Sequence, residues 1–392
     1  MKSNYPTKKL GEIASFLRGS GLSKKDINPL GARKCILYGQ LYTIYGPVID
    51  TVASKTDEVG KVFSVVGDVL IPGTTTADET GIAIASALNE AGVILGGDIN
   101  IIRTQNKLVN SKFLSFLLSG PLKMRMVKYA RGTNIIHLSG RDIAKIEVPV
   151  PPLQIQKQIV ERLDKIAEAQ KLNGELIQKT DELFQSLLHK ELNPASKNWE
   201  IKELGEVVLL VRGPFGGSLR KDIFVESGNC VYEQGNIIDG NLDNFRYFIT
   251  SEKFEQMKRF EVLEGDILMS CSGTIGRFII VPRNFKKGII NQALLKITPN
   301  QKVIGEFLKL TLENYFSSNN IHVKGIAIKN IAAVKELKRI KIPFPSLAIQ
   351  KQIVAKLSAV QDYKKQLLEQ KTKLKELFDS VLYKSMKGEL DK

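Results

Sequence analysis

The chain has 392 residues, of which 43% are hydrophobic and 25% charged, a composition that excludes general disorder and favours two or three globular domains. It has no apolar run long enough to span a membrane, and its first residues lack the apolar stretch of a signal peptide, so we expect a cytoplasmic protein. The 57 basic against 41 acidic residues give a net charge of +16, which favours a polyanionic partner such as nucleic acid.

The first segment, residues 1–149, consists of short apolar runs bounded by glycine, proline or asparagine. Examples are VFSVVGDVLIPG at 62–73 and AGVILGGDINII at 91–102. Such runs predict strands joined by turns. The stretch SKFLSFLLSGPLKMRMVKYA at 111–130 predicts a helical region. Together these patterns indicate a compact α+β domain.

The second segment, residues 150–194, is rich in Lys, Glu, Gln and Leu and follows the proline-rich sequence VPVPPL. Its apolar residues recur at spacings of three and four, which predicts one long amphipathic helix of the coiled-coil type over 152–192. Proline is favoured in the first turn of a helix, so the boundary suits a helix start. An isolated helix of this kind cannot bury its apolar stripe.

The remainder of the chain repeats this organisation. The hexapeptide IQKQIV occurs at 155–160 and again at 349–354, an offset of 194 residues, and many shorter matches share that register. We therefore expect a tandem duplication, with a second α+β domain over 195–343 and a second helical segment over 344–392. The two helices are the natural partners for each other's apolar stripes.

A search for catalytic motifs gives no candidate. The chain lacks the phosphate-binding sequence GxxxxGK(S/T), and the sequence that comes nearest to an amino-methyltransferase loop, at 193–195, lacks the second proline and the aromatic residue. The three histidines and three cysteines are not at metal-ligand spacing. We therefore expect a chain with no catalytic residues and no cofactor of its own.

The repeated motifs resemble those of a known family. PVPPLQIQKQIVERLD and PFPSLAIQKQIVAKLS, with Leu-Gly-Glu at each domain start and Gly-Asp-(Val/Ile)-Leu within each domain, resemble the specificity subunit of type I restriction-modification systems. The resemblance implies two target-recognition domains held apart by two antiparallel coiled-coil helices, with pseudo-twofold symmetry. Each domain is then expected to read one half of a bipartite site in double-stranded DNA, with the helical spacer setting the separation of the halves.

The resemblance also implies the partners. They are two adenine-N6 methyltransferase subunits and, in the restriction complex, two ATP-dependent translocase-nuclease subunits. S-adenosylmethionine, ATP and Mg²⁺ then belong to these partner subunits. Outer apolar side chains of the helices are candidates for binding them, and these residues are Leu172, Leu176, Leu188, Tyr363, Leu368, Phe378 and Val381.

Loops rich in Arg, Lys, Gln, Ser, Thr and Gly are the candidates for DNA contact, because groove edges present hydrogen-bonding groups. In the first domain the loop candidates are Arg18, Ser20, Lys24, Lys25, Gln40, Tyr42, Thr74, Thr75, Thr76, Arg131 and Thr133. In the second they are Arg212, Ser218, Arg220, Lys221, Gln234, Asn236, Ser272, Thr274, Arg277, Lys324 and Lys329. Lys123, Lys128 and Arg131 are expected to meet phosphates, and a solvated helix face is the competing interpretation. Structural roles for the paired arginines and glycines, and burial of Tyr42, are the competing interpretations.

Two other functions remain open at this stage. The chain is a free-standing DNA-binding regulator if its helices serve only as an internal spacer. It is a nuclease if carboxylates such as Asp68, Asp98, Glu264 and Asp266 form a centre, although no lysine-bearing constellation accompanies them.

Overall fold

The structure of the chain, a computed structural model, describes residues 4–76, 80–104, 108–193, 197–214, 216–318 and 334–389. The contacts divide the chain into two compact units. Unit 1 comprises Met1–Glu175 and Leu368–Lys392, and unit 2 comprises Leu176–Leu367. This division differs from the expected one, because each unit contains one α+β domain together with part of both helical segments.

The strands of unit 1 are β1 (Thr7–Lys9), β2 (Ala14–Arg18), β3 (Arg33–Ile36), β4 (Val48–Ile49), β5 (Lys55–Thr56), β6 (Asp68–Pro72), β7 (Thr74–Thr75), β8 (Ser86–Leu88), β9 (Ile94–Leu95), β10 (Ile99–Thr104), β11 (Ile136–His137) and β12 (Glu147–Pro149). Its short helices are α1 (Leu10–Ile13), α2 (Gln40–Thr43), α3 (Ser111–Ser119), α4 (Lys123–Val127) and α5 (Gly140–Ile143).

The main sheet of unit 1 has the order β2-β10-β6-β8-β4, and β10 is antiparallel to both of its neighbours. A smaller sheet joins β5, β3 and β9, while β1 pairs with β12 and β7 with β11. One hydrophobic core contains residues of β6, β10 and α3, and a second contains residues of β3, β6 and β10. The predicted α+β class is confirmed.

Unit 2 has the strands β13 (Glu200–Glu203), β14 (Val208–Arg212), β15 (Asn229–Tyr232), β16 (Phe248–Ile249), β17 (Ile267–Ser270), β18 (Phe278–Ile280), β19 (Gly288–Ile290), β20 (Leu294–Pro299) and β21 (Lys341–Phe344). Its short helices are α7 (Leu204–Val207), α8 (Gln234–Ile238), α9 (Ser251–Gln256), α10 (Gly305–Ser318) and α11 (Val334–Lys338). The main sheet has the order β14-β20-β17-β18, and β13 pairs with β21 as β1 pairs with β12. The shared order of elements confirms the duplication.

The two long helices are longer than any other element of the described chain. They are α6 (Leu153–Leu192, 40 residues) and α12 (Leu347–Lys387, 41 residues), close to the predicted ranges. At 1.5 Å per residue each is about 60 Å long. Helix α6 begins directly after Pro151 and Pro152, where the missing amide hydrogen of proline costs nothing.

A fully buried glutamine joins each long helix to the domain that precedes it. The Gln156 side chain donates from Nε2 to the carbonyl oxygens of Leu108 (3.0 Å) and Pro151 (2.8 Å), and its Oε1 accepts from the Asn110 amide (2.8 Å). We call this arrangement the glutamine clamp.

The clamp recurs in unit 2. The Gln350 Nε2 donates to the carbonyl oxygens of Lys302 (3.3 Å) and Pro345 (2.9 Å), and Oε1 accepts from the Ile304 amide (2.8 Å). The clamp explains why glutamine stands just inside both helices.

Within unit 1 the beginning of α6 and the end of α12 pack on the same core. Ile159 and Leu163 lie in one cluster with Leu382 and Met386. Further along, Gln170 Nε2 donates to the Leu374 carbonyl oxygen (3.1 Å), and Asn173 Nδ2 donates to Gln370 Oε1 (3.0 Å). Because the residue number rises along α6 as it falls along α12, these segments are antiparallel.

Unit 2 contains the complementary pair of helical segments. Leu188 and Leu192 share a core with Ile353 and Leu357. Asp181 pairs with Lys364, and Glu191 with Lys356, again in an antiparallel sense. The antiparallel pairing expected from the family resemblance is therefore present within each unit.

The structure differs from the sequence-based prediction in one helical region. The region predicted as one helical stretch over 111–130 is broken into α3 and α4 at Gly120-Pro121, because proline cannot continue a helix.

Among the residues with a described structure, no helix combines the length and apolar character needed to cross a membrane.

We predict that Gln156→Leu destabilises unit 1 by about 2–4 kcal/mol, because the Asn110 amide and two carbonyl oxygens lose their partner in a buried site. The matched control is Gln158→Leu, which alters an exposed glutamine two residues along the same helix. Urea unfolding of both variants measures the difference. Equal stabilities would contradict a structural role for the clamp.

The ion pairs of Glu191 predict a pH dependence. Hydrogen bonds from Lys197 (2.9 Å) and Lys356 (3.0 Å) hold the pKa of this nearly buried carboxyl below its ordinary value of 4.5. Because the pKa of Glu191 is lower in the folded than in the unfolded chain, its ionised carboxylate stabilises the fold above pH 4.5. This stabilisation is lost as the pH falls through the lowered pKa.

We therefore expect Glu191→Gln to lower the free energy of unfolding by about 1–2 kcal/mol at pH 7 and to have progressively less effect on acidification. Glu182→Gln, at an exposed position of the same helix, is the control. A pH-independent difference between Glu191→Gln and the native chain in thermal unfolding would refute this assignment.

Candidate nucleic-acid interface

In unit 1, three strand ends meet at one edge of the main sheet. β10 pairs Asn100 with Arg18, the last residue of β2, and Ile99 with Pro72, the last residue of β6. The loops that follow β2 and β6 therefore leave the sheet side by side, next to the start of β10. We call this the loop edge of unit 1.

The other predicted loops of unit 1 reach the same edge. The Tyr42 hydroxyl donates to the Thr74 carbonyl oxygen (2.8 Å), which ties the 38–43 loop to the loop after β6. Strand β11 pairs with β7, so the preceding 131–134 loop also lies beside it. The structure thus brings together the four polar segments that the sequence predicted as loops in the first domain, although Gln40 and Tyr42 lie in helix α2 and Thr74 and Thr75 in strand β7.

Unit 2 has an equivalent loop edge. β20 pairs Leu295 with Arg212, the last residue of β14, and Leu294 with Ser270, the last residue of β17. The Gln234 Nε2 donates to the Thr274 carbonyl oxygen (3.4 Å), which joins the 232–236 and 270–277 loops. Lys324 and Lys329 lie outside the described residues.

The glycines after the paired arginines are required by packing. A Cβ on Gly19 would lie 2.0 Å from the Gly96 carbonyl oxygen, and one on Gly213 would lie 1.8 Å from the Asn291 carbonyl oxygen. Any larger residue would push these loops off the sheet. Close packing therefore explains why glycine follows the arginine in both units, and the arginine stands at each loop edge.

The two arginines are in different surroundings. Arg18 is exposed and its guanidinium lies 2.6 Å from Asp98. Arg212 is half-buried and contacts Cys271. Burial raises the pKa of the Cys271 thiol to about 11, although the nearby guanidinium acts to lower that pKa. The residue of unit 2 that stands at the position of Asp98 is Ala293, so the duplication has not preserved the ion pair.

Several of the predicted DNA-binding side chains form hydrogen bonds within the fold or are buried there, and we leave them out of the base-reading proposal. The side-chain oxygen Oε1 of Gln40 accepts a hydrogen bond from the backbone amide of Leu37, and its Nε2 donates to the Ser54 hydroxyl. The side-chain oxygen Oδ1 of Asn236 accepts a hydrogen bond from the backbone amide of Glu233, and its Nδ2 donates to two backbone carbonyl oxygens. Thr74 and Thr75 are buried, and burial raises the pKa of Tyr42 to about 12.

The remaining candidates are exposed or half-buried at the described surface. In unit 1 these are Arg18, Ser20, Lys24, Lys25, Thr76, Lys123, Lys128, Arg131 and Thr133. In unit 2 they are Arg212, Ser218, Arg220, Lys221, Gln234, Ser272, Thr274 and Arg277.

The sequence analysis missed Asn100, Arg141 and Lys145, which line a cavity at the loop edge of unit 1 together with Arg18 and His137. The basic excess of residues 101–150, with 9 basic and 2 acidic side chains, was a signal for Arg141 and Lys145, whereas nothing in the sequence pointed to the neutral Asn100. That excess does not say which cations share a surface.

The proposed partner-binding residues divide into two groups. Leu188 is 5% exposed in the core of unit 2, and Phe378 and Val381 pack on the core of unit 1, where the Phe378 and Phe116 ring centroids are 5.6 Å apart. These three are core residues, which corrects the expectation. The four exposed members are Leu172, Leu176, Tyr363 and Leu368.

The carboxylates considered for a nuclease centre do not converge. Arg103 binds Asp68 through two hydrogen bonds of 2.8 and 2.9 Å, at the opposite end of β10 from Asp98. Asp266 is buried, its carboxylate accepts a hydrogen bond from the Thr298 hydroxyl, and it lies 3.9 Å from the Lys296 ammonium group. Across the described ranges, no three His, Cys, Asp or Glu residues are grouped so as to hold a metal ion.

Comparisons with known proteins give a consistent result. The family model described as "Type I restriction modification DNA specificity domain" matches residues 2–180 and 196–377. The putative type I restriction enzyme MjaX specificity subunit of Methanocaldococcus jannaschii is 25% identical over 354 residues, which cover 85% of this chain and 79% of the relative. The EcoBI specificity subunit of Escherichia coli is 26% identical over 326 residues, covering 74% and 68%.

A solved structure shows the same fold. The S subunit of a type I restriction-modification system from M. genitalium superposes with a TM-score of 0.59 at 15% identity, over 98% of this chain and 96% of that one.

Proposed function

The chain belongs to the type I restriction modification DNA specificity domain family, and we propose that each of its two units reads one half of a bipartite DNA site. It acts as the specificity subunit of a type I restriction-modification complex and is not itself the catalyst. The observation that supports two readers in one chain is the recurrence of the loop edge, with an arginine at the last position of the first main-sheet strand in both units. Two related binding faces in one chain suit a target with two half-sites.

Base reading is assigned to the exposed and half-buried polar side chains of the two loop edges. In unit 1 these are Arg18, Ser20, Lys24, Lys25, Thr76 and Thr133, and in unit 2 Arg212, Ser218, Arg220, Lys221, Gln234, Ser272, Thr274 and Arg277. Their donors and acceptors match the groups that base pairs present in the grooves. Because the two sets differ in sequence, the two halves of the site are expected to differ.

Phosphate contacts are assigned to Lys123, Lys128 and Arg131, in and after helix α4. Such contacts position a protein on DNA without reading its sequence. The end of this segment is close to the loop edge, since Lys145, which lines the cavity there, lies 5.9 Å from the centroid of the Tyr129 ring.

We further propose that the exposed apolar residues of the long helices bind two methyltransferase subunits. Leu172, Leu176, Tyr363 and Leu368 are 42–52% exposed. Exposed leucines along a helix are typical of surfaces completed by another helix. S-adenosylmethionine, ATP and Mg²⁺ belong to the partners in this proposal, and the complex works in the cytoplasm, where it meets DNA.

The principal test is reconstitution. We expect the purified chain alone neither to methylate nor to cleave DNA, and the chain mixed with its cognate methyltransferase and S-adenosylmethionine to produce N6-methyladenine at a bipartite site. Methylome sequencing of host DNA with and without the gene identifies that site. Methyl transfer or metal-dependent cleavage by the chain alone would overturn the proposal, and binding without any methyltransferase partner would favour a free-standing regulator.

The two readers are expected to be separable. Replacement of residues 1–149 by the corresponding domain of another family member should change one half of the methylated site and leave the other half and its adenine unchanged. The reciprocal exchange of residues 195–343 is the matched control and should change the other half. Simultaneous change of both halves in either chimera would show that the units do not read independently.

The double substitution Lys123→Ala/Lys128→Ala is expected to weaken binding to all DNA sequences similarly. Each lost phosphate contact should reduce the slope of log K against log salt by about 0.9. Lys157→Ala/Lys165→Ala removes the same charge from exposed positions of α6 and should leave the slope near its native value. A loss confined to the cognate sequence would show that Lys123 or Lys128 contacts bases.

A further inference from the structure

A cavity of about 730 Å³ opens at the loop edge of unit 1. Its lining comes from the end of β2, the start of β10, β11 and the short helix α5. All of these elements belong to unit 1, and they include the strand ends that carry the predicted reading loops. The cavity has room for a nucleobase with its sugar, which distinguishes it from the small gaps of ordinary packing.

The innermost polar group of the cavity is the amide of Asn100, a residue that is only 5% exposed. Its Nδ2 donates to the Leu138 carbonyl oxygen (2.8 Å). Because a carbonyl oxygen is solely an acceptor, this bond fixes the orientation of the amide and leaves Oδ1 as an acceptor. No described residue donates to that oxygen, and Asn100 lines the cavity.

A glycine keeps the space between this acceptor and an aromatic ring open. A Cβ on Gly140 would lie 3.5 Å from Asn100 Oδ1 and 3.6 Å from Cδ1 of the Phe16 ring. Any side chain at this position would therefore fill the gap between the amide and the ring. The gap has an apolar aromatic wall and a hydrogen-bond acceptor, the two features that bind a base carrying an amino group.

Cations surround this gap. Arg18, Arg141 and Lys145 line the cavity together with the carboxylate of Asp142, and Asp98, outside the lining, pairs with Arg18 at 2.6 Å. Hydrogen bonds from Lys145 and Ser139 hold the pKa of Asp142 below its ordinary range, so Asp142 and Lys145 form an ion pair of 2.7 Å. The exposed guanidinium groups of Arg18 and Arg141 are then the donors for phosphate groups on either side of a bound base, and a phosphate at Arg18 would share that guanidinium with Asp98.

We propose that this cavity binds one unstacked nucleotide of the DNA site. Its base lies against Phe16 with an amino group donating to Asn100 Oδ1, and the flanking phosphates lie at Arg18 and Arg141. This rests on the proposed DNA-reading function of unit 1 and goes beyond it, because groove reading alone leaves every base in the stack.

The depth of Asn100 is the reason for requiring an unstacked base. Groove edges of stacked base pairs are read by side chains that project from the protein surface. A side chain that is 5% exposed cannot project into a groove. A base rotated out of the helix reaches such a group at the cost of its pairing and stacking, a cost that a mismatch lowers.

The experiment uses the complex of the chain with its methyltransferase and a set of cognate duplexes. Each duplex carries one mismatch, placed in turn at every position of the half-site read by unit 1. We expect one position, distinct from the target adenine, at which the mismatch tightens binding by about tenfold, because the unpairing cost has been removed. Gly140→Val, which fills the gap, should abolish that gain and weaken binding to the matched duplex by about tenfold.

The matched control is Gly46→Val, in the same unit, where a Cβ would meet no atom within 4 Å. It should bind all duplexes like the native chain. Gly140→Ala, whose added methyl group makes only ordinary contacts, gives a second variant with an intact fold, verified by thermal unfolding, and should show a smaller loss of the same kind.

Tightening at a mismatch that persists in both Gly140 variants, or the absence of such a position in the native complex, would overturn the nucleotide site while leaving DNA reading by unit 1 intact. Failure of the native complex to bind a specific site would instead refute the proposed function, and the inference with it.

Discussion

The fold depends on the glutamine clamp, which joins each long helix to its recognition domain. Gln156 and Gln350 each supply two donors to backbone carbonyl oxygens and one acceptor to a backbone amide in a fully buried site. Only a primary amide offers both functions without charge, because glutamate lacks the donors and lysine lacks the acceptor. The clamp therefore fixes the direction in which each helix leaves its own domain.

A second constraint acts between the helical segments inside each unit. In unit 1 the buried Asn173 bonds to Gln370, and in unit 2 two ion pairs join the segments. A polar residue in a helical interface specifies register, since sliding the helices would bury its amide without a partner. The loop edge and the helical pair of each unit thus belong to one compact unit, which suits a DNA reader attached to a spacer.

Much of this architecture could be predicted because repetition and periodicity are directly visible in a sequence. The two IQKQIV segments located both long helices, and the clamp explains why their glutamines recur. Pairing across a sheet is not visible in this way. Asp98 and Asn100 reach Arg18 only through the register of β10, so neither the ion pair nor the cavity could be foreseen. Gln40 and Asn236 have the composition of DNA-reading residues, yet local backbone groups occupy their amides.

We propose that the length of the paired helices sets the spacing of the two half-sites in the DNA. Deleting residues 168–174 together with 370–376 removes both partners of the Asn173–Gln370 and Gln170–Leu374 hydrogen bonds and shortens each helix by one heptad, ~10.5 Å. Methylation by the reconstituted complex is then measured on sites whose central spacer varies by single base pairs. The preferred spacer should shorten by about three base pairs, at ~3.4 Å each. A folded double deletion that still prefers the original spacer would contradict the claim.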